Sequence, residues 1–457
     1  MIRLIPLTAM VATLAACSAE ETNGSALPTA SNEVSPEGIE FILTDMPEHP
    51  DVAIQVAWPT DWAYRENTNP AAALVGAEMI LAGGAEGYPA GEAAERLADL
   101  NTEGGLYGAG NDHIVGELVF ERDDIDEIVE IANAHLRAPL LGQSWLDRIS
   151  DGIAQGVTEE RAQPAPAGFE AVRWAVFGEH PLRNALSLYD LKPLDELTRD
   201  DIIAWHGETF TRSPEAVAVA GDIDAQSAGE ALDALFAGLP EQEHEVQRSV
   251  SPDFTPRRIL LHMPQAEVST LAFVAPLPPT REGGEVEDLL LTHALGGDDQ
   301  SVLFDAVRTQ LRASYGFGAG ANNYTREQRI LFMFGEVDTN QMAEAEALVR
   351  EAYTSFRQDG LKGELADHKA PLAYRFSELA DVVAVQANSA LERALDGYPA
   401  ERSPKDELEA VTEASLNERL GTVFPRADEF IVVAVSSDAE ALPEACVIMA
   451  PREAADC

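Results

Sequence analysis

The sequence predicts an α+β fold made of two homologous halves, each an antiparallel-rich sheet with helices packed on one face. Three observations carry this. The chain repeats itself: Ile42-Leu43-Thr44-Asp45-Met46-Pro47 returns as Ile259-Leu260-Leu261-His262-Met263-Pro264 at an offset of 217. Tyr107-Gly108-Ala109-Gly110 returns as Phe317-Gly318-Ala319-Gly320 at 210, and Val217-Ala218-Val219-Ala220 as Ile431-Val432-Val433-Ala434 at 214. Self-similarity in order and at nearly constant spacing marks a duplicated unit. Within each copy, runs of period two come first, then helical patterns, then strands again, which is the order of a sheet with helices added to it.

The elements follow in order. Residues 1–16 carry one cation, Arg3, then an apolar run ending in small residues, too short to span a bilayer as a helix; this is the pattern of a secretion signal. Cys17 directly after Leu14-Ala15-Ala16 resembles the bacterial lipoprotein signal, in which that cysteine is acylated, and Ser18 resembles the version sent to the outer membrane. Residues 17–37 are polar and small and are expected to form a flexible tether. An N-terminal domain is expected over 38–240, a linker over 241–256, where prolines and polar residues cluster, and a C-terminal domain over 257–457. Asn69-Pro70 reads as a cap and first turn for the helix AAALVGAEMILAGG, with Gly83-Gly84 as its stop. Residues 123–137 place Ile125, Ile128, Val129, Ala132 and Leu136 on one face and predict a second amphipathic helix.

Composition removes several functions. With 79 acidic against 31 basic residues the formal net charge is −48, so the surface repels phosphate backbones and anionic headgroups. No nucleic acid is expected as a partner, and the membrane only through the lipid. None of the nine histidines lies four residues from another, so no helix can offer two imidazoles to one zinc ion one turn apart. The glycine clusters complete neither a dinucleotide fingerprint nor a phosphate-binding loop, and no G-x-S-x-G is present. Cys446 and Cys457 can form a disulfide or stand as two separate thiols, and both options stay open.

Against this background the body resembles the insulinase/pitrilysin-type metallopeptidases, a family that includes the mitochondrial processing peptidase, from about residue 40 to 440. Leu74-Val75-Gly76-Ala77-Glu78-Met79-Ile80-Leu81-Ala82-Gly83 fits the frame of the family's zinc helix, which carries H-x-x-E-H. Residues 94–105 fit the next helix and residues 107–112 a glycine-rich strand. In this frame the first zinc histidine becomes Leu74, the catalytic glutamate Ala77 and the second histidine Glu78. Leucine has no lone pair for a metal and alanine no carboxylate to take a proton from water. The third ligand would fall on a helix between Trp145 and Glu160, with Asp147, Asp151, Glu159 and Glu160 as candidates and the best frame near Gln155. The resemblance thus implies no catalytic residue and no metal in this chain.

The second half keeps another part of the pattern. Leu295-Gly296-Gly297, then Ser301-Val302-Leu303-Phe304 and Arg308, then Tyr315, resemble the family stretch G-G-x-x-S-x-L-F-x-x-x-R-E-x-x-G-L-x-Y, with departures at Thr309, Arg312 and Ala313. In active relatives this Arg and Tyr reach the substrate backbone opposite the zinc; planar guanidinium donors and a phenol suit an extended peptide whatever its side chains. The implied substrate-binding set is Arg308 and Tyr315 with Gly108, Ala109, Gly110 and Asn111 of an edge strand. The expected function is a non-catalytic, pseudo-peptidase subunit, lipid-anchored in the periplasm at the outer membrane, not catalytic alone but clamping extended peptide for a zinc-bearing paralogue in a heterodimer. The alternatives are a stand-alone peptide-binding or scaffold lipoprotein of the envelope, and an independent metalloendopeptidase with a displaced site.

Overall fold

A computed structural model describes residues 29–109, 111–185, 187–242, 245–313 and 316–457; the signal, Cys17, Gly110 and Tyr315 lie outside the described residues. The first sheet comprises β1 (Thr29–Val34), β2 (Glu40–Asp45), β3 (Asp51–Pro59), β4 (Glu103–Ala109), β5 (His113–Glu121) and β6 (Ala216–Gly221), in the order β1-β2-β6-β3-β5-β4. The second comprises β7 (Arg258–His262), β8 (Ser269–Leu277), β9 (Phe317–Asn323), β10 (Arg329–Val337), β11 (Ile431–Ser436) and β12 (Cys446–Ile448), in the order β9-β10-β8-β11-β7-β12. Read from opposite ends the two orders coincide strand for strand, and the repeated segments fall on β2 and β7, β4 and β9, and β6 and β11. The sixth strand differs in origin. β1 joins β2 antiparallel from the chain's beginning, whereas β12 joins β7 parallel from its end.

The strand β1 corrects the tether, expected to run to residue 37. Its polar sequence TASNEV buries almost nothing, but an edge strand needs only backbone partners, and all six residues pair with β2. Beyond it, Ser35 Oγ donates to Asp233 at 2.5 Å, fastening the entry to the body. The 241–256 stretch is likewise more than a spacer: Gln247 N donates to Asp61, Arg248 to the Thr60 carbonyl, and Asp253 N to the Val176 carbonyl.

The longer first-half helices are α1 (Ala72–Gly83), α2 (Glu92–Asp99), α3 (Ile125–Arg137), α4 (Gln143–Arg161), α5 (Pro164–Phe177), α6 (Arg199–Thr209) and α7 (Ala225–Leu235). The second half contributes α8 (Glu285–Gly296), α9 (Met342–Asp359), α10 (Leu365–Leu379), α11 (Val383–Leu395) and α12 (Glu413–Thr422). Asn69 lies two residues before the N-cap, Ala71. Its side chain accepts from Ala71 N at 3.0 Å and the helix proper begins at Ala72. Gly84 ends α1 at φ +81°, where a Cβ would press on the Tyr88–Ala90 backbone. The helix placed over 94–105 is shorter, Glu92–Asp99, because Gly104 and Gly105 already belong to β4.

Each half packs its own helices on one face of its sheet, as expected, and the second face is covered by a helix exchanged from the other half. On one face β3 presents Val52, Ile54, Val56 and Trp58 to the first half's own helices. On the other, Ala53 and Ala57 meet α11, which comes from the second half. Reciprocally, α5 of the first half packs on Val274, Ile431, Val433 and Val435 of the second sheet. The exchanged helices are rich in alanine and sit close to the strands; a Cβ on Gly168 would be 3.0 Å from Val435. Each sheet's second face would be bare apolar surface without the other half. The exchange therefore joins the halves through the same burial that builds either core.

Candidate functional site

Helix α1 carries the segment that the resemblance aligns with the family's zinc helix. It packs against α4, α6 and the terminal strand β4. Leu74 is 47% exposed and Leu81, two turns on, 40%, so they form an apolar stripe on the outward face with Glu78 half-buried between them, while Ala77 is buried. Asp147, Asp151, Gln155, Glu159 and Glu160 are all exposed on α4, and Asp147 and Glu159 accept hydrogen bonds from Gln143 and Gln155 at 2.8 and 3.1 Å. Among the described residues no group of three His, Cys, Asp or Glu side chains could hold a metal. One glutamate beside leucine and alanine does not make a zinc donor set, so the residues present do not fit the ion.

Gly76 lets α1 cross α6 closely. A Cβ there would stand 2.4 and 2.5 Å from ring carbons of the fully buried Trp205. Alanine is the better helix former by up to about 1 kcal/mol, but overpacking a ring held edge-on by Phe210 costs about 1–3 kcal/mol, so the clash wins. Gly76→Ala is accordingly expected to lower the thermal midpoint, read by circular dichroism, despite its gain in helix propensity.

β4 ends at Ala109, not at Asp112, and is the outermost strand of its sheet, with one edge unpaired among the described residues. Added Cβ atoms on Gly105 and Gly108 would meet nothing, so neither glycine is demanded by a protein neighbour. On the α11 side, burial and then Glu117 and Glu392 push the Tyr107 phenol well above its ordinary value. Asn111 turns the chain at φ +57° and its amide donates to the Tyr324 carbonyl of the second half at 3.4 Å, so that side chain is engaged in joining the halves.

Asp112 beside it is 1% exposed and fully used, a feature sequence reasoning missed. The Tyr64 hydroxyl donates to one carboxylate oxygen, and Arg326 N, from the turn after β9, donates to the other at 2.5 Å. Arg248 approaches at 3.7 Å. Arg326 continues the chain of contacts to Glu392 at 2.7 Å and Asp396 at 3.3 Å, near the end of α11. The turns that follow the two terminal strands are thus tied together. Next to this junction, the hydrogen bond from buried His113 at 2.8 Å holds the Glu215 carboxyl below the usual carboxylate range, with the charges of His113 and Arg248 helping against burial. A carboxylate depressed in the folded state stabilises above its unfolded value and loses that contribution as pH falls through its folded value. Acid is therefore expected to loosen this junction, which amide exchange of residues 111–116 would report.

Arg308 is exposed on a π-helical turn, Phe304–Gln310, where Leu311 N reaches back five residues to the Ala306 carbonyl at 3.2 Å. Arg312 closes the segment at φ +59°, in the left-handed region, at the position where the family stretch has glycine. A left-handed side chain costs about 1–2 kcal/mol, and glycine's extra chain entropy takes back about 0.5–1, so Arg312→Gly is expected to raise stability by up to about 1.5 kcal/mol in urea unfolding. Cys446 and Cys457 are joined in a disulfide, with Cα atoms 5.9 Å apart.

Comparisons agree with this architecture. Residues 196–372 match the family model described as Peptidase M16 inactive domain. A crystal structure of a peptidase M16 inactive domain from Pseudomonas fluorescens superposes with a TM-score of 0.78 at 17% identity, covering 89% of this chain and 98% of that one. A protease from Helicobacter pylori does so at 0.76 and 13%, covering 90% and 100%. The periplasmic protease PqqL from Escherichia coli gives 0.69 and 14%, with 94% of this chain covering 50% of that one. No curated protein sequence matches. These findings support the insulinase-type resemblance: residues 196–372 match that family model, and the two α+β halves have the fold of M16-like structures.

Proposed function

We propose that this chain is the non-catalytic subunit of a periplasmic two-subunit zinc metallopeptidase, holding extended peptide for a zinc-bearing paralogue. The observation that carries the reading is the juxtaposition on α1 and β4. The helix keeps its place beside an unpaired strand edge while offering Leu74, Ala77 and Glu78 where three chemically necessary groups would stand. What survives is a peptide-receiving surface. An unpaired strand adds an extended peptide through main-chain hydrogen bonds, and the open space over Gly105 and Gly108 leaves room for its backbone. Arg308 and Tyr315 serve as the clamp, with Gly108, Ala109 and Gly110 on the receiving edge. Zinc belongs to the partner, and Cys17 carries the lipid that holds the complex at the outer membrane.

The span of PqqL supports the need for a second subunit: that protease is about twice as long as the part this chain matches. Affinity purification of the full chain from its own envelope tests the pairing. Recovery of a paralogue bearing H-x-x-E-H is the expected result; a homodimer, or an envelope assembly factor in its place, would favour a stand-alone binding or scaffold lipoprotein.

A further inference from the structure

The two exchanged helices are held unequally. On α11 the buried residues are Val383, Ala387, Ala390 and Leu391, all facing the first sheet or its margin. On α5 burial extends around the helix, from Ala167, Gly168 and Glu170 through Ala171 and Val172 to the run Trp174–Phe177. The difference is a third layer. After β12 the chain turns into a 3₁₀ segment, Pro451–Asp456, that packs along α5, and Ala454, fully buried, joins the cluster of Ala167, Ala171 and Val172. α5 is thus sandwiched between the second sheet and the last residues of the chain, whereas α11 is covered on its sheet side.

On its sheet side the strap is tied by backbone pairing with β7 and by the buried Ile448. Its strand, β12, is three residues long, with Cys446 and Val447 exposed, and it occupies the sheet's end. Met449 N donates to Glu453 within the strap itself. The Cys446–Cys457 bond closes 446–457 into a loop that begins on the sheet and returns to it, passing over α5. A short edge strand and a terminal 3₁₀ turn fray readily when their ends are not tied down.

We propose that this disulfide is a redox-sensitive clasp on the junction of the halves: oxidised, it holds the C-terminal strap over α5; reduced, it lets the strap leave and loosens α5 from the second sheet. A dithiol supplies the chemistry. One of its thiolates attacks a protein sulfur, the second displaces the mixed disulfide, and the reagent ends as a cyclic disulfide while Cys446 and Cys457 end as two thiols, having gained two electrons and two protons. The effect belongs to one side of the pseudo-symmetric junction, which provides an internal reference in α11.

Hydrogen exchange read by mass spectrometry on the full chain tests this, comparing the oxidised protein, the protein with dithiothreitol, and the double variant Cys446→Ser, Cys457→Ser. Exchange in 164–177 should rise by about tenfold or more in the second and third samples while 383–395 stays unchanged. Ala454→Glu, which keeps both cysteines but cannot bury its new carboxylate, should accelerate 164–177 in the same way and separates the strap from the bond. Unchanged exchange in α5 after verified reduction would overturn the clasp. An equal rise in both exchanged helices would overturn it too, by showing general destabilisation.

Discussion

Asp288→Ala is expected to lower the unfolding free energy by about 3–5 kcal/mol, the cost of removing one partner from a buried ion cluster. Asp288 stands in the first turn of α8 with no exposed surface. Arg419 of α12 donates to both carboxylate oxygens at 2.8 Å, and Arg329 of β10 donates at 2.5 Å. One carboxylate thus joins a helix, a strand and a second helix of the second half. Arg419 also lies over Gly284, where a Cβ would come within 2.3 Å of the guanidinium carbon. With the carboxylate gone, Arg329, itself 6% exposed, loses the buried carboxylate it is paired with. The exposed Arg426–Asp428 pair is the control; its loss should cost about 0–1 kcal/mol. Urea unfolding of the two variants side by side measures the difference, and equal midpoints would refute the role given to Asp288.

The second large effect concerns activity. Arg308→Ala is expected to lower kcat/KM of the mixed complex by about 10- to 150-fold, which is the roughly 1.5–3 kcal/mol of a hydrogen bond from a charged donor converted at 1.36 kcal/mol per decade. Arg308 is on the surface, so its removal should leave the complex on a sizing column unchanged. Arg308→Lys keeps the charge without the planar fork and should fall between the two. Unaltered turnover in Arg308→Ala would remove the residue from the clamp.

Much of the fold can be read from local pattern. The duplicated segments fall on equivalent strands, and the helix over Ile125–Arg137 buries Ile128, Val129 and Leu136 as its period implies. The helix exchange could not be read from periodicity, because α5 and α11 look like any helix with one apolar stripe. A signal for it does exist in the strands. Apart from Gln55, VAIQVAW and AVAVA alternate alanine with larger apolar residues, not polar with apolar, which means that both faces are covered and that one cover sits close. Reading the period alone loses that distinction. β1 escaped for the opposite reason: an edge strand tied by its backbone needs no apolar side chains.

The candidate site divides the same way. The helix that lacks zinc ligands is visible in one contiguous stretch, from Leu74 to Gly83. The tie at Asp112 is not, since Tyr64, Arg248 and Arg326 are brought to it from three distant parts of the chain. Asn111 was expected to touch peptide, but its left-handed turn aims its amide at Tyr324. Long-range polar networks leave no spacing signature, whereas ligands on one helix do.

The central claim is that this chain contributes a peptide-holding surface and no metal chemistry of its own. The most direct test measures zinc content and peptidase activity of the purified chain, alone and mixed with the H-x-x-E-H-bearing paralogue. The account predicts no stoichiometric zinc and no turnover alone, with activity appearing only in the mixture. One equivalent of bound zinc together with turnover by the isolated chain would contradict it.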